Sequence, residues 1–235
     1  DSAENVEIEK TLDSLTISAL WFDGVDDYAN VPLNNMYEFG NDRDFTIECR
    51  IRTTGWSGDP AVISDKNWVS GFNPGFGIFL NTDGQTWKIN IGDGSVRQDV
   101  DGGTVNDGEW HHLAATFNRD GRVEIYQDGF NVGGKDMSFI GDITSGMGLG
   151  IGQDGTLSYP NFFNGQIDDV RVWDTILSEE TINHWGCKNI DATHGAYNNL
   201  IGHWKMDESA GNIAADHSSN SCLLYTSPSP RDLAQ

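Results

Sequence analysis

The chain has 235 residues, 37% of them hydrophobic, which is enough apolar material for one large domain or two small ones. Thirty-six acidic residues against 14 basic ones give a net charge of −22, which argues against nucleic acid and anionic membranes as partners, because both bind through lysine and arginine. A mean hydropathy of −0.46 and the lack of a long apolar run argue against a membrane-spanning helix. The negative charge suits neutral ligands or divalent cations, or serves solubility alone.

The first ten residues, DSAENVEIEK, lack the basic and apolar segments of a signal peptide. Either a leader has been removed or the chain is a fragment, and residues 1–15 are expected to form an N-terminal extension or linker. Of the three cysteines, Cys49 lies in an alternating strand pattern, which indicates a buried free thiol.

The segment WFDGVDDYANVP, residues 21–32, places three carboxylates inside an otherwise apolar run. Asp23, Asp26 and Asp27 are compatible with a metal site, with a catalytic site, or with a turn whose aspartates bind backbone amides. The sequence around them does not decide among these alternatives.

Period-two alternation dominates the segments that follow. In DFTIECRIRT, apolar residues from Phe45 to Ile51 alternate with polar ones, which is typical of a half-buried strand. TWKINIG repeats the pattern. HHLAATFN and RVEIYQDG are predicted to form a hairpin, with Asp120 and Gly121 supplying its tight turn.

One helix is predicted, in LSEETINHWG. Ser178 is a good N-cap, acidic residues occupy the first turn, and Gly186 ends the segment. With about ten or more short strands around this single helix, the sequence predicts an all-β protein, an antiparallel two-sheet sandwich with one short C-terminal helix.

Four segments carry a family resemblance: LWFDGVDDYANVP, FTIECRIRT, GEWHHLAATFNRDGRVEIYQDG and FNGQIDDVRVWDTILSEETI. Their order and spacing resemble a bacterial laminin-G-like, concanavalin A-like domain related to the pentraxins. The resemblance implies a jelly roll, and we assign residues 16–186 to it.

The remainder of the chain differs from this pattern. LIGHWKMDESAGNIAADHSSN resembles segments that link such domains, so residues 187–221 are interpreted as a linker or the start of a following repeat in a multidomain parent. CLLYTSPSPRD resembles a translated sequencing adaptor of the kind found in metagenomic assemblies, so residues 222–235 are interpreted as a non-native tail. An ordinary flexible tail is the alternative.

Catalytic motifs are missing from the sequence. Retaining glycosidases of this sandwich type use Glu-x-Asp-x-x-Glu, and no glutamate here is followed by that pattern. Counting twelve residues from Asp99 reaches Trp110, not the glutamate of an EF-hand loop. His111 and His112 fall in a strand and face opposite sides of the sheet. We therefore predict no catalytic residues and no enzyme activity.

The resemblance also implies a structural calcium ion. In related sandwiches an aspartate at the position of Asp168 binds calcium with an acid and a carbonyl from the first strand. Carried over by motif, the ligands are Asp23, the Gly24 carbonyl and Asp168. The alternative is that both aspartates accept hydrogen bonds from backbone amides.

Aromatic residues among glycine, serine and asparagine indicate a ligand-binding surface, because an aromatic ring covers the apolar face of a sugar while polar groups meet its hydroxyls. The predicted ligand-binding residues are Trp56, Asp65, Lys66, Asn67, Trp68, Phe72, Asn73, Tyr159 and Phe162. The alternative is that many of these rings complete the core. Tryptophans that alternate within strands, namely Trp21, Trp87, Trp110 and Trp173, are predicted to be packing residues.

Together these features favour a non-catalytic, lectin-like carbohydrate-binding module of a larger secreted or cell-surface bacterial protein, with a polysaccharide or glycan as partner. The alternative is a protein-interaction or adhesion domain, which would show a large exposed apolar patch instead of a cleft. A glycoside hydrolase would require two carboxylates that converge in a cleft.

Overall fold

The computed structural model describes residues 19–208 and 212–227, which form fifteen strands and one α-helix. The strands are β1 Leu20–Asp23, β2 Tyr28–Val31, β3 Phe45–Arg52, β4 Ala61–Ser64, β5 Gly75–Leu80, β6 Thr86–Gly92, β7 Arg97–Thr104, β8 Trp110–Phe117, β9 Arg122–Gln127, β10 Phe130–Asp136, β11 Leu149–Ile151, β12 Asn164–Trp173, β13 Leu200–Trp204, β14 Ile213–Ala214 and β15 Leu224–Ser227. The helix α1 spans Glu179–Trp185, and short 3-10 turns span Asn35–Tyr37 and Tyr197–Asn199.

The strands form two antiparallel sheets. The first sheet has the order β1-β12-β3-β8-β9-β10, and β13 also pairs with β12. The second has the order β14-β15-β2-β11-β4-β5-β6-β7. Strands distant in sequence are neighbours in both sheets, as in a jelly roll, so the predicted all-β sandwich with one helix is confirmed.

The core lies between the two sheets and follows from the alternation in the strands. On β3, Phe45, Ile47, Cys49 and Ile51 are all fully buried, and Cys49 is a free thiol as predicted. The ring of Phe45 stacks on that of Phe117, with 4.2 Å between centroids. Each such side chain contributes about 1.5–3 kcal/mol through burial.

The predicted hairpin and helix are both present. β8 and β9 pair antiparallel, and the amide of Gly121 donates to the carbonyl of Asn118 in the turn between them. Ser178 caps α1 by accepting from the amide of Thr181, and the helix ends before Gly186. α1 packs through the buried Ile182 against the outer face of the first sheet.

The segment that follows the helix is part of the sandwich, which corrects the interpretation of residues 187–221 as a linker or following repeat. β13 pairs with β12 from Val170 to Trp173, and Trp204 at the end of β13 is fully buried in the main core. Ile190 and Leu200 pack with α1 over the outer face of the first sheet. The domain therefore extends beyond residue 186.

The described part of the predicted tail also contacts the sandwich. β15 pairs with β2, and Leu224 is buried. Residues 228–235 and the predicted extension at residues 1–15 lie outside the described residues. The resemblance of residues 222–235 to a translated adaptor stays a prediction.

Candidate functional site

A cavity of about 390 Å³ opens at one end of the sandwich, where three segments meet. The end of β1 supplies one wall, the loop after β3 supplies the second, and the loop before β12 supplies the third. We call this cavity the end groove. Its lining residues are Asp23, Gly24, Gly55, Trp56, Ser57, Pro160, Asn161, Phe162 and Asn164.

Two predicted ligand-binding residues, Trp56 and Phe162, line the end groove from two different loops. Both are partly exposed. The indole nitrogen of Trp56 donates to the carbonyl of Asn81 at 2.7 Å, which fixes the orientation of its ring. The structure therefore brings together two aromatic rings that are about one hundred residues apart in sequence.

A carboxylate holds the two loops together behind the groove. Asp59, in the loop after β3, accepts hydrogen bonds from the hydroxyl of Tyr159 at 2.7 Å and from the amide of Asn161 at 2.9 Å. Burial and this hydrogen bond raise the pKa of Tyr159 to about 12. Tyr159, predicted to contact ligand, thus acts as a brace between the loops.

The groove combines aromatic rings with short polar side chains. Asn161, Asn164 and Ser57 offer amide and hydroxyl groups, and Asp23 offers a carboxylate. Rings that cover apolar faces, together with a few hydrogen-bonding groups, suit a polyhydroxylated ligand. The sequence did not single out Asn161 or Asn164, because an asparagine in a loop is equally typical of a turn.

Three predicted ligand-binding residues are buried instead, which corrects their assignment. Trp68 is 5% exposed and stacks on Phe79 with 3.7 Å between ring centroids. Lys66 is fully buried, and its ammonium donates to the carbonyl of Gly71 at 3.0 Å. Burial lowers the pKa of Lys66 to about 7. Burial raises the pKa of Asp65, which accepts from the backbone, to about 8.

The other predicted residues of this region form a loop of their own. The amide of Asn73 donates to the carbonyl of Asn67 at 2.9 Å, and the Asn67 side chain accepts from the amide of Val69. Phe72 is 47% exposed, with the guanidinium of Arg97 4.9 Å from its ring centroid. None of these residues lines the end groove.

The predicted set of calcium ligands does not come together. β1 and β12 are neighbours, as expected, but Asp23 lies opposite Asn164. Asp168 is four residues further along β12, roughly 13 Å away at the rise of a strand. It instead lies 3.5 Å from the guanidinium of Arg50, and burial together with neighbouring Asp169 raises its pKa to about 7.

Asp23 does have acidic neighbours within its own turn. Carboxylate oxygens of Asp23, Asp26 and Asp27 lie within 4.8 Å of one another. The Asp23 side chain accepts from the amide of Val25 at 2.8 Å, and Asp27 accepts from the amide of Asp23 at 3.1 Å. The carboxylates therefore shape the turn and also concentrate negative charge beside the groove.

A second cavity, of about 250 Å³, opens beside the end groove on the outer face of the first sheet. We call it the sheet-face cavity. Its lining residues are Trp21, Arg52, Thr53, Thr54, Asn164, Gly165 and Gln166. Asn164 lines both cavities.

Trp21 is 44% exposed, which corrects its prediction as a packing residue, whereas Trp87 and Trp173 are fully buried as predicted.

The family model described as the concanavalin A-like lectin/glucanases superfamily matches residues 23–183, more than half of the chain. The chain belongs to this superfamily. A mouse protein named for its sushi, von Willebrand factor type A, EGF and pentraxin domains is 31% identical over 111 residues, which are 44% of this chain and 3% of that protein.

Solved structures share the fold at low sequence identity. A candidate carbohydrate-binding protein from Bacteroides ovatus superposes with a TM-score of 0.69 at 19% identity, covering 91% of this chain and 59% of that one. The sialidase module CBM40 from Ruminococcus gnavus gives 0.51 at 14% identity, covering 71% and 95%. Mouse laminin α1 domains LG4-5 give 0.51 at 19%, covering 68% and 41%.

This chain thus matches 3% of the length of the mouse protein and 59% of the Bacteroides chain. Within the described residues, no helix has the length and apolar character needed to cross a membrane.

Proposed function

We propose that this domain is a non-catalytic carbohydrate-binding module that holds a glycan in the end groove. The observation that carries the proposal is the placement of Trp56 and Phe162 in the lining of one cavity, together with amide and hydroxyl groups. Aromatic rings supply apolar contact area that sugar C–H faces match, and the polar groups meet the hydroxyls.

The composition of the groove supports binding without hydrolysis. Among the residues that line the two described cavities, Asp23 is the single carboxylate. A glycosidase needs an acid and a second carboxylate on opposite sides of the scissile bond. Asp26 and Asp27 belong to the same short turn as Asp23, so they do not face it across the groove.

The test is a glycan array followed by titration calorimetry with the best ligand. Trp56→Ala and Phe162→Ala are expected to lower the affinity at least tenfold, because each removes about 1–3 kcal/mol of stacking and apolar contact. Phe139→Ala, at a residue that is 50% exposed and lines neither cavity, is the matched control. Thermal unfolding checks that each variant is folded.

A protein that binds no glycan, or binds equally well without either ring, would contradict the proposal. The adhesion alternative then gains weight, since exposed apolar side chains such as Phe130 and Val132 on β10 are available for a protein partner. The proposed setting is a secreted or cell-surface protein with further domains, with the glycan as an external ligand.

We propose further that calcium binds at the turn formed by Asp23, Asp26 and Asp27. Three carboxylates within 4.8 Å repel one another, and a divalent cation with oxygen ligands relieves this repulsion. This set replaces the predicted combination with Asp168.

The calcium proposal has its own test. An ion that binds only the native state raises the melting temperature in proportion to the logarithm of its concentration. Millimolar calcium is therefore expected to raise the melting temperature of the wild type above that in chelator, and Asp26→Asn is expected to reduce this rise. A melting temperature that is identical in calcium and in chelator would rule the site out.

A further inference from the structure

The sheet-face cavity is lined by an arginine, Arg52, that forms no ion pair with a carboxylate of the described residues. The other exposed or partly exposed arginines in the described part of the chain, Arg43, Arg50, Arg97 and Arg122, lie 2.9 to 3.9 Å from a carboxylate. Arg52 belongs to no ion pair there. Acidic residues outnumber basic ones by 36 to 14, so an exposed guanidinium that stays without a carboxylate is unusual in this protein.

The guanidinium of Arg52 is nevertheless held in place. Its Nε donates to the carbonyl of Gly108 at 2.6 Å, which anchors one edge of the fork. The two terminal nitrogens remain for a partner in the cavity. A guanidinium fork of this kind matches a carboxylate through two parallel hydrogen bonds, and the anchoring reduces the side-chain entropy lost on binding.

The side chains around Arg52 are an aromatic ring, amides and hydroxyls, which are the groups that commonly contact sugars. Cross-strand pairing places Trp21 opposite Gln166, and Gln166 opposite Arg52, so one row of side chains runs across β1, β12 and β3. The indole of Trp21 offers an exposed ring, and the amides of Gln166 and Asn164 offer donors and acceptors. Thr54 adds an exposed hydroxyl.

We infer that the sheet-face cavity binds a carboxylated sugar residue, with Arg52 pairing to its carboxylate and Trp21 contacting its ring. The inference rests on the proposed function, because the cavity adjoins the end groove at Asn164. A short glycan that spans both cavities places a neutral sugar beside Trp56 and an acidic one beside Arg52.

The charge of the protein limits the kind of acidic glycan. Arg52 is the single guanidinium of the cavity, and Asp23, Asp26 and Asp27 stand at the neighbouring groove. A polyanion would bring several negative charges toward these carboxylates, which repel it at distances within about 8–10 Å at ordinary salt. The site therefore fits a glycan with an isolated carboxylate next to neutral sugars, such as one sialic or uronic acid residue.

The experiment measures the affinity of the full chain for matched glycan pairs. Each pair consists of an oligosaccharide with one sialic, glucuronic or galacturonic acid residue and its neutral twin, made by carboxyl reduction. The acidic member is expected to bind about tenfold more tightly in the wild type, the size of a charge-assisted bidentate interaction. Arg52→Gln is expected to abolish the difference in affinity between the acidic member and its twin.

Further variants separate the possible outcomes. Arg52→Lys keeps the charge but loses the fork, so it should recover only part of the preference. Arg122→Gln, which removes the same charge from an exposed site on β9, should keep all of it. Trp56→Ala should weaken both members of every pair.

Three results would overturn the inference. If neutral glycans bind and no acidic member binds more tightly than its twin, the inference fails while the proposed function stands. A preference that survives Arg52→Gln also refutes it. If no glycan in the panel binds, the proposed function and the inference fail together.

Discussion

Asp23 on β1 lies directly opposite Asn164 on β12 in the antiparallel pairing of these strands. This register brings the Asp23 turn against the loop that ends at Asn164 and so closes one side of the end groove. It also makes Asn164 the boundary between the two cavities. A single cross-strand pair thereby sets both the shape of the groove and the separation of Asp23 from Asp168.

Substitution of Asp59 is expected to weaken glycan binding, although Asp59 does not line the groove. Asp59→Ala removes the hydrogen bonds from Tyr159 and Asn161, each contributing about 1 kcal/mol, so the facing loops should separate. We expect about a tenfold drop in glycan affinity and only a small fall in melting temperature. Calorimetry and thermal unfolding measure the two effects.

Tyr159→Phe is the control for this brace, because it removes one bond and leaves the bond from Asn161 in place. Its loss of affinity should be smaller than that of Asp59→Ala. Wild-type affinity in Asp59→Ala would show that the groove keeps its shape without the brace.

We expect the carboxylate of Asp169 to make the stability of the domain fall in acid. It lies 2.9 Å from the ring of His203 and also contacts the guanidinium of Arg171, and these two partners hold its pKa at about 2, below the usual value of 3.8. A lowered carboxyl pKa stabilises the fold above the unfolded pKa, and the contribution is lost as pH falls from about 4 toward 2. It amounts to about 2 kcal/mol.

Asp169→Asn tests this contribution. Urea unfolding at pH 7 should show the variant to be less stable than the wild type, and the gap should narrow as the pH falls through 4 and 3. A gap of constant size over this pH range would mean that the carboxylate charge is not responsible for the stability.

The position of β13 predicts where the domain can be cut. A chain that ends at residue 186 lacks the buried Ile190, Leu200 and Trp204, each contributing about 1.5–3 kcal/mol through burial. Their sum is comparable to the total stability of an ordinary domain, so this fragment should not fold. Circular dichroism and urea unfolding provide the measurement.

A chain that ends at residue 221 keeps β13 and lacks β15, so it distinguishes the two contributions. It should remain folded, with a lower free energy of unfolding than the full chain because the edge of β2 loses its partner. A folded fragment 1–186 would support the earlier boundary at residue 186.

Local patterns were sufficient for much of the fold. The Asp120-Gly121 turn and the Ser178 cap are properties of a few adjacent residues, and the structure confirms both. Alternation in β3 correctly predicted its core face, but Thr46 and Glu48 on the opposite face are also buried, because the segment after β12 covers that face. The aromatic pair Trp56 and Phe162 was also found from sequence, because rings among glycine, serine and asparagine differ from the alternating rings of strands.

The same criterion failed where a loop folds back over a sheet. Trp68 and Lys66 lie in a segment as polar and glycine-rich as that of Trp56, yet both are buried. Trp21 alternates within a strand like Trp87, but β1 is short and its outer face remains open. Burial here depends on which segment covers a face, and that information is not local.

The sequence by itself determined the class of fold, its hairpin and helix, and two aromatic residues of the end groove, because alternation, turns, caps and loop composition depend on neighbouring residues. The tertiary structure alone decided the register of β1 on β12, the inclusion of β13 in the domain, and the residues that surround Arg52. Those depend on pairing between strands up to about 150 residues apart, and a shift of a few residues in that pairing replaces Asn164 by Asp168 as the partner of Asp23.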